Sequence, residues 1–127
     1  MSVGHSLSKS IFVVAAKRTP FGTIGGALKS HSPTELQVVA ANAALKAINL
    51  DPTHISSVCI GNVLSSSAAD TAYISRHVAL RVGAKVETPA LTVNRLCGSG
   101  FQAIVNGIHE ILLGDSEIVL TGGSDNM

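Results

Sequence analysis

Tryptophan is absent, tyrosine occurs once and phenylalanine three times, so aromatic side chains make up only 3% of these 127 residues. Charge is also sparse, at 13% of residues with a net charge of +1. Without a basic field or interleaved aromatics, nucleic acid is not an expected partner. Long apolar runs are missing too. Runs such as Ile11–Ala16 fall far short of the ~18 residues needed to cross a bilayer as a helix, so no membrane span is expected. Met1–Ser10 has no apolar h-region, which argues against a secretory signal. Cysteine occurs twice, at Cys59 and Cys97, too few for a disulfide scaffold.

What is present is aliphatic. The hydrophobic content of 46% is carried by Ala, Val, Ile and Leu, as expected of a well-buried α/β domain. No acidic residue occurs before Glu35, while Lys9, Lys17, Arg18 and four early serines precede it. Residues 1–10 are expected to be a flexible terminus, and an uncleaved mitochondrial address fits the same composition.

Ile11–Ala16 reads as a first buried strand and the glycine-rich "RTPFGTIGG" as the loop after it. "SPTE" supplies a capping box from Ser32 to Glu35 with proline at the first helical position. Leu36, Val39, Ala40, Ala43 and Ala47 continue at helical spacing to about Ile48. Ser57–Val63 is the second strand, Ala72–Val82 the second helix with Gly83 past its end, and Ala90–Val93 the third strand. Cys97 or Gly98 opens a third helix ending near Gly114, and Ile118–Leu120 is the fourth strand. The predicted order, βαβαβαβ, implies an α/β fold with a mostly parallel sheet and right-handed crossovers. The last strand runs into "TGGSDNM". Such strand ends normally feed functional loops, so residues 11–127 are expected to be the incomplete front portion of a larger domain.

The stretch "VNRLCGSGFQAIVNG" carries the chemistry. Phe101, Ile104, Val105, Ile108, Ile111 and Leu112 form an apolar stripe, while Ser99, Ala103 and Gly107 are small residues four apart. Burial on most sides is expected for this helix. Cys97 sits at its amino end, where unpaired N–H groups present positive partial charge. A thiolate is stabilised there, and the same N–H groups can hold the oxygen of a tetrahedral intermediate. Gly98 and Gly100 would leave room for a substrate carbonyl, so the pattern suits nucleophilic acyl transfer. A small residue packed at a helix start fits the same spacing, and spacing does not decide between the two. Cys59, inside "SVCIGNV", reads as a small buried hydrophobe.

"VNRLCGSGFQAIVNGIHEI" resembles the acyl-enzyme cysteine signature of thiolases. "VVAAKRTPFGTIGGAL", "IGNVLSSS", "RHVALRVG" and "TGGSDNM" resemble further stretches of that family, so the likeness runs from Ile11 to Met127. "AAKRTPFG", "ETPAL" and "NRLCGSGFQ" resemble most the mitochondrial 3-ketoacyl-CoA branch. The resemblance implies a buried nucleophile helix bearing Cys97, which would attack a 3-ketoacyl-CoA and form an acyl-enzyme. Acetyl-CoA would leave, and free CoA would take up the acyl group. It further implies acyl-CoA and CoA as substrates with no other cofactor and no metal, a homodimer or homotetramer, and a mitochondrial location, with cytoplasmic or peroxisomal ones as alternatives. The reverse, acetoacetyl-CoA-forming direction and a truncated, non-catalytic thiolase-like module remain open readings. A nucleotide-binding Rossmann domain needs a glycine fingerprint after the first strand and an acidic residue after the second, and neither is there.

Two departures stand out. Asp125 and Asn126 replace the family's usual Glu and Ser, which is expected to weaken a hydrogen bond at the sheet end. The family's histidine base and second cysteine belong to its carboxyl-terminal half. None of the five histidines here fills that role. His109, for example, lies about 18 Å down the helix axis from Cys97 at 1.5 Å per residue. No histidine pair has zinc-ligand spacing with a cysteine.

Overall fold

A computed structural model describes residues 9–127. The remainder of the expected flexible terminus, His5 included, lies outside the described residues. The elements run α1 (Pro33–Ala47), β1 (Ser57–Gly61), α2 (Ile74–Val82), β2 (Ala90–Val93), α3 (Ser99–Leu113) and β3 (Val119–Gly123). Short 3-10 turns at Pro52–His54 and Thr71–Tyr73 precede β1 and α2. The strands form a parallel sheet in the order β2-β1-β3, with Val58 opposite Ala90 and Gly61 opposite Gly123.

β1 is the central strand and is buried along its whole length. Side chains alternate across a strand. Val58 and Ile60 therefore join one face, where Ala41 and Leu45 of α1 and Ile74, Val78, Ala79 and Val82 of α2 complete the main core. Cys59 falls on the other face, toward α3. Ser75 of α2 ties β1 to β2: its Oγ accepts from Ile60 N (3.1 Å) and donates to Leu91 O (2.7 Å).

The capping box forms as expected: Glu35 N donates to Ser32 Oγ (3.2 Å) and Ser32 N to Glu35 Oε2 (3.1 Å). The buried face of α1 is a correction. It comprises Thr34, Gln37, Ala41 and Leu45, while Val39 is 61% exposed. The reason lies in β3, where glycine at 122 leaves the space into which the Gln37 amide packs. Leu36, Ala40 and Ala44 line a groove instead.

The first expected strand is the second correction. Residues 11–16 are not hydrogen-bonded into the sheet, and Phe12 and Val13 are 77% and 81% exposed. A strand requires a pairing neighbour. Both edges of β1 are taken, and a groove of about 450 Å³ separates residues 11–19 from β3, with α1 on one wall and α3 on the other. The described sheet therefore has three strands rather than four. Elsewhere the boundaries shift by a few residues. β1 stops at Gly61, α2 begins at Ile74 after a 3-10 turn, and β3 extends through both glycines of "TGG".

The third helix is buried on one side rather than most. Ser99, Ala103 and Gly107 are its buried residues, whereas Phe101 is 70% exposed, and Ile104 and Ile108 line the groove. The small residues win the sheet face because the approach is close. A Cβ on Gly107 would lie 2.8 Å from the Thr121 methyl and 3.1 Å from Val119 Cγ1. A Cβ on Gly61 would collide with the Ser99 and Gly100 backbone. Backbone cannot yield as a flexible side chain can. Gly61→Ala is therefore expected to cost about 3 kcal/mol. Urea unfolding checks this, and a loss below about 0.5 kcal/mol, the range of an ordinary surface change, contradicts it.

Candidate active site

The carboxyl ends of all three strands lie at one end of the sheet, and the amino end of α3 sits on them. Gly61 meets the Ser99–Gly100 backbone, and a Cβ on Gly123 would stand 3.0 Å from the Gly100 Cα. The Cβ direction of Gly100 faces Gly123 at 3.8 Å. That is an ordinary contact distance, so packing alone does not demand glycine at position 100. Cys97 lies in the turn from β2 into this helix and is exposed.

That turn is strained and tightly held. Leu96, just before the cysteine, has φ of 50°. A left-handed leucine costs roughly 1–2 kcal/mol and persists only where its surroundings over-determine it. Here they do. Leu96 N donates to Asn94 Oδ1 (3.0 Å), and Leu96 O accepts from Ser99 Oγ (2.6 Å). Arg95 N donates to the same Ser99 hydroxyl (2.8 Å). Gly98 N and Ser99 N close onto Arg95 O (3.1 Å) and Leu96 O (3.0 Å). Among the described residues, this leaves the Gly100 and Phe101 amides without a backbone acceptor at the helix mouth. Along α3, Arg95 Nη1 donates to Gln102 Oε1 (2.7 Å) and Gln102 Nε2 to Asn106 Oδ1 (2.7 Å).

The chain after β3 is tied down as firmly. Asn62, 2% exposed, donates from Nδ2 to Ser124 O (2.9 Å) and Asp125 Oδ1 (3.0 Å). Those two acceptors fix the amide's orientation, and Asn62 Oδ1 is buried without a partner. Ser124 Oγ donates to Pro33 O (2.8 Å), and Asn126 Nδ2 donates to Leu28 O (2.8 Å) and His31 O (2.6 Å). Asp125 and Asn126 are the two positions that depart from the family pattern. Both side chains hydrogen-bond to backbone of other segments.

Of the other sequence candidates, none joins Cys97. The His31 side chain pairs with Glu35 (3.4 Å), His54 precedes β1 at the opposite end of the sheet, and His77 is on α2, across the sheet from α3. His109 lies far along α3. No metal-holding cluster of His, Cys, Asp or Glu occurs among the described residues. Sequence reading missed the framework of Asn62, Asn94, Ser99 and Asp125. Its one visible signal was asparagine directly after each of two strands, a residue suited to side-chain–backbone turns.

Cys97 thus lies between a strand and the amino end of a helix, where the sequence put it. Residues 11–127 match the N-terminal domain of thiolases. The chain belongs to the thiolase family. The mitochondrial 3-ketoacyl-CoA thiolase of Homo sapiens is 57% identical over 122 residues, 96% of this chain and 30% of that protein. A beta-ketothiolase of Cupriavidus necator is 40% identical over 121 residues, 95% of this chain and 30% of its own length. The crystal structure of the human mitochondrial 3-ketoacyl-CoA thiolase in complex with CoA matches with a TM-score of 0.84 at 58% identity, covering 87% of this chain and 28% of that one. The chain thus spans 30% of the length of these curated relatives.

Within this thiolase segment the two cysteines differ sharply. Burial pushes the Cys59 thiol up from an ordinary 9.0 to about 11, and the Glu110 carboxylate adds to the effect. At pH 8, iodoacetamide should therefore label Cys97 and leave Cys59 untouched until the protein is unfolded, as read by peptide mass spectrometry. Equal labelling in the native state contradicts the burial. Because the folded thiol stays neutral where an unfolded one ionises, Cys59 contributes stability below pH 9 that is lost as pH rises toward 11. Cys59→Ala should flatten that part of the stability profile.

Proposed function

We propose that residues 11–127 are the front portion of a thiolase and that Cys97 is its acyl-accepting nucleophile. The observation that carries this reading is the exposed thiol of Cys97 on a hydrogen-bonded turn at the amino end of α3. The reaction is the one the family resemblance implies. The sulfur, as thiolate, adds to the 3-keto carbonyl of a 3-ketoacyl-CoA. The first amides of α3, at Gly100 and Phe101, have no backbone acceptor among the described residues, and the positive end of the helix favours negative charge developing beside it. The tetrahedral adduct collapses by breaking the bond between the 3-carbon and the 2-carbon. The acyl group remains on sulfur, and the released carbanion takes a proton to leave as acetyl-CoA. The thiol of a second CoA then attacks the thioester, giving an acyl-CoA two carbons shorter and restoring Cys97. The protons move through a base and an acid contributed by the rest of the enzyme, which the family resemblance gives as a histidine and a second cysteine.

Identity to proteins named mitochondrial 3-ketoacyl-CoA thiolase supports the degradative direction, a role in fatty-acid β-oxidation and a mitochondrial location. The relative solved with CoA supports CoA as the acyl acceptor. The reaction calls for no other cofactor, and a homodimer or dimer of dimers is the assembly we infer.

The test is acyl trapping on the full-length enzyme. Incubation with a 3-ketoacyl-CoA should add one acyl group to the peptide carrying Cys97. Cys97→Ser should retain the fold and lose thiolysis by about 10⁴-fold or more, as expected for removal of a nucleophile. An unmodified Cys97 in the active enzyme, or full turnover by the serine variant, overturns the assignment.

A further inference from the structure

Asp125 is an exposed carboxylate, yet it does not behave as a solvated surface charge. No Lys, Arg or His lies within ion-pair distance of it among the described residues. Its oxygens take three donors from one short loop: Asn62 Nδ2 at 3.0 Å, Val63 N at 3.1 and 3.2 Å, and Leu64 N at 2.9 Å. Two successive backbone amides on one carboxylate fix both the carboxylate and the loop that follows β1. Charge-assisted bonds of this kind are the stronger class of hydrogen bond.

The loop is in turn a support for the cysteine turn. Asn94 Nδ2 donates to Val63 O (3.2 Å), while Asn94 Oδ1 accepts from Leu96 N (3.0 Å). Leu96 is the residue in the left-handed conformation immediately before Cys97. A continuous set of hydrogen bonds thus runs from Asp125 through residues 62–64 and Asn94 to the strained residue that aims the thiol. The turn is braced from two sides, by Ser99 from α3 and by Asn94 from the sheet end, and the second brace rests on Asp125.

We propose that Asp125 is a positioning residue for Cys97, acting through the Asn62–Leu64 loop and Asn94. The proposal rests on the acyl-transfer reading for its effect on turnover, but not for its effect on the thiol itself. It also gives a use to the one position in "GGSDNM" where the family's carboxylate is kept with a methylene fewer.

The experiment uses the full-length enzyme with Asp125→Ala, Asn94→Ala and the pair combined. Two quantities are read: the rate constant for alkylation of Cys97 by iodoacetamide, and kcat and KM for thiolysis. Cys97 is already exposed, so alkylation reports the state and aim of the thiol rather than access to it. Asp125→Ala should slow alkylation at least about threefold, since a turn that loses this brace no longer holds the sulfur in one presented position. It should lower kcat about tenfold with KM within about twofold, because small misplacements of a reacting group are costly. The double variant should be little worse than either single one, as for two members of one chain. Asp125→Asn, which keeps an acceptor at Oδ1, should recover part of the loss and serves if the alanine variant does not fold. Wild-type alkylation and kcat in a folded Asp125 variant overturn the proposal, as does a double variant whose loss is the product of the singles. Because iodoacetamide requires no acyl-CoA site, the positioning result stands apart from the acyl-trapping result. An untrapped acyl group with slowed alkylation counts against the reaction, and a trapped acyl group with unchanged alkylation counts against Asp125.

Discussion

The structure turns on a contact between backbones. The first turn of α3 lies directly on the ends of β1 and β3, where Gly61 and Gly123 offer no side chain. A helix normally stands off a sheet by the thickness of its side chains. Here it comes closer, because glycine faces the Ser99–Gly100 backbone and because the helix itself presents Ser99, Ala103 and Gly107 downward. This approach places the start of α3 over the carboxyl end of the sheet, and the turn from β2 has only Asn94–Gly98 in which to reach it. The left-handed Leu96 follows from that short path.

The same contact separates the two faces of the sheet. On the α1–α2 face, Val58 and Ile60 meet a full apolar core. On the α3 face the interface is thin, and Cys59 is buried there with its thiol pushed up to about 11. Once the small residues of α3 are committed to the sheet, its large apolar side chains have nowhere to go but outward. Phe101 is exposed, and Ile104, Ile108 and Ile111 form one wall of the groove whose far side is residues 11–19. Two cysteines in one chain thus acquire opposite chemical characters from position alone: one a sealed apolar filler, the other displayed on a turn.

Around the strand ends, short polar side chains take over the work that apolar packing does elsewhere. Asn62, Asn94, Ser99, Ser124 and Asn126 each hydrogen-bond to backbone of another segment or of the turn itself. Such bonds fix direction as well as distance. A site that must hold a reacting atom in one place gains more from them than from further apolar contact, which constrains position only loosely.

Local features were legible in the sequence because their causes are local. The capping box at Ser32 and Glu35, the left-handed glycine ending α2 at Gly83 and the strand at Ala90–Val93 depend on residues a few positions apart. The alternation of elements, the place of Cys97 at the mouth of a helix and the family signature around it were legible for the same reason. What the sequence could not decide was every choice between competing faces. Nothing within α1 says that Gln37 rather than Val39 turns inward, since that depends on the space beside Gly122. Nothing within Ile11–Ala16 says that its pairing edge stays unused. The apolar stripe of α3 has the pattern of a buried face, yet glycines on distant strands gave the sheet to the small residues instead. The left-handed Leu96 and the bonds from Asp125 toward it join residues more than sixty positions apart in places. Periodicity reports what a segment could bury, whereas only the neighbours brought in by the fold determine what it does bury.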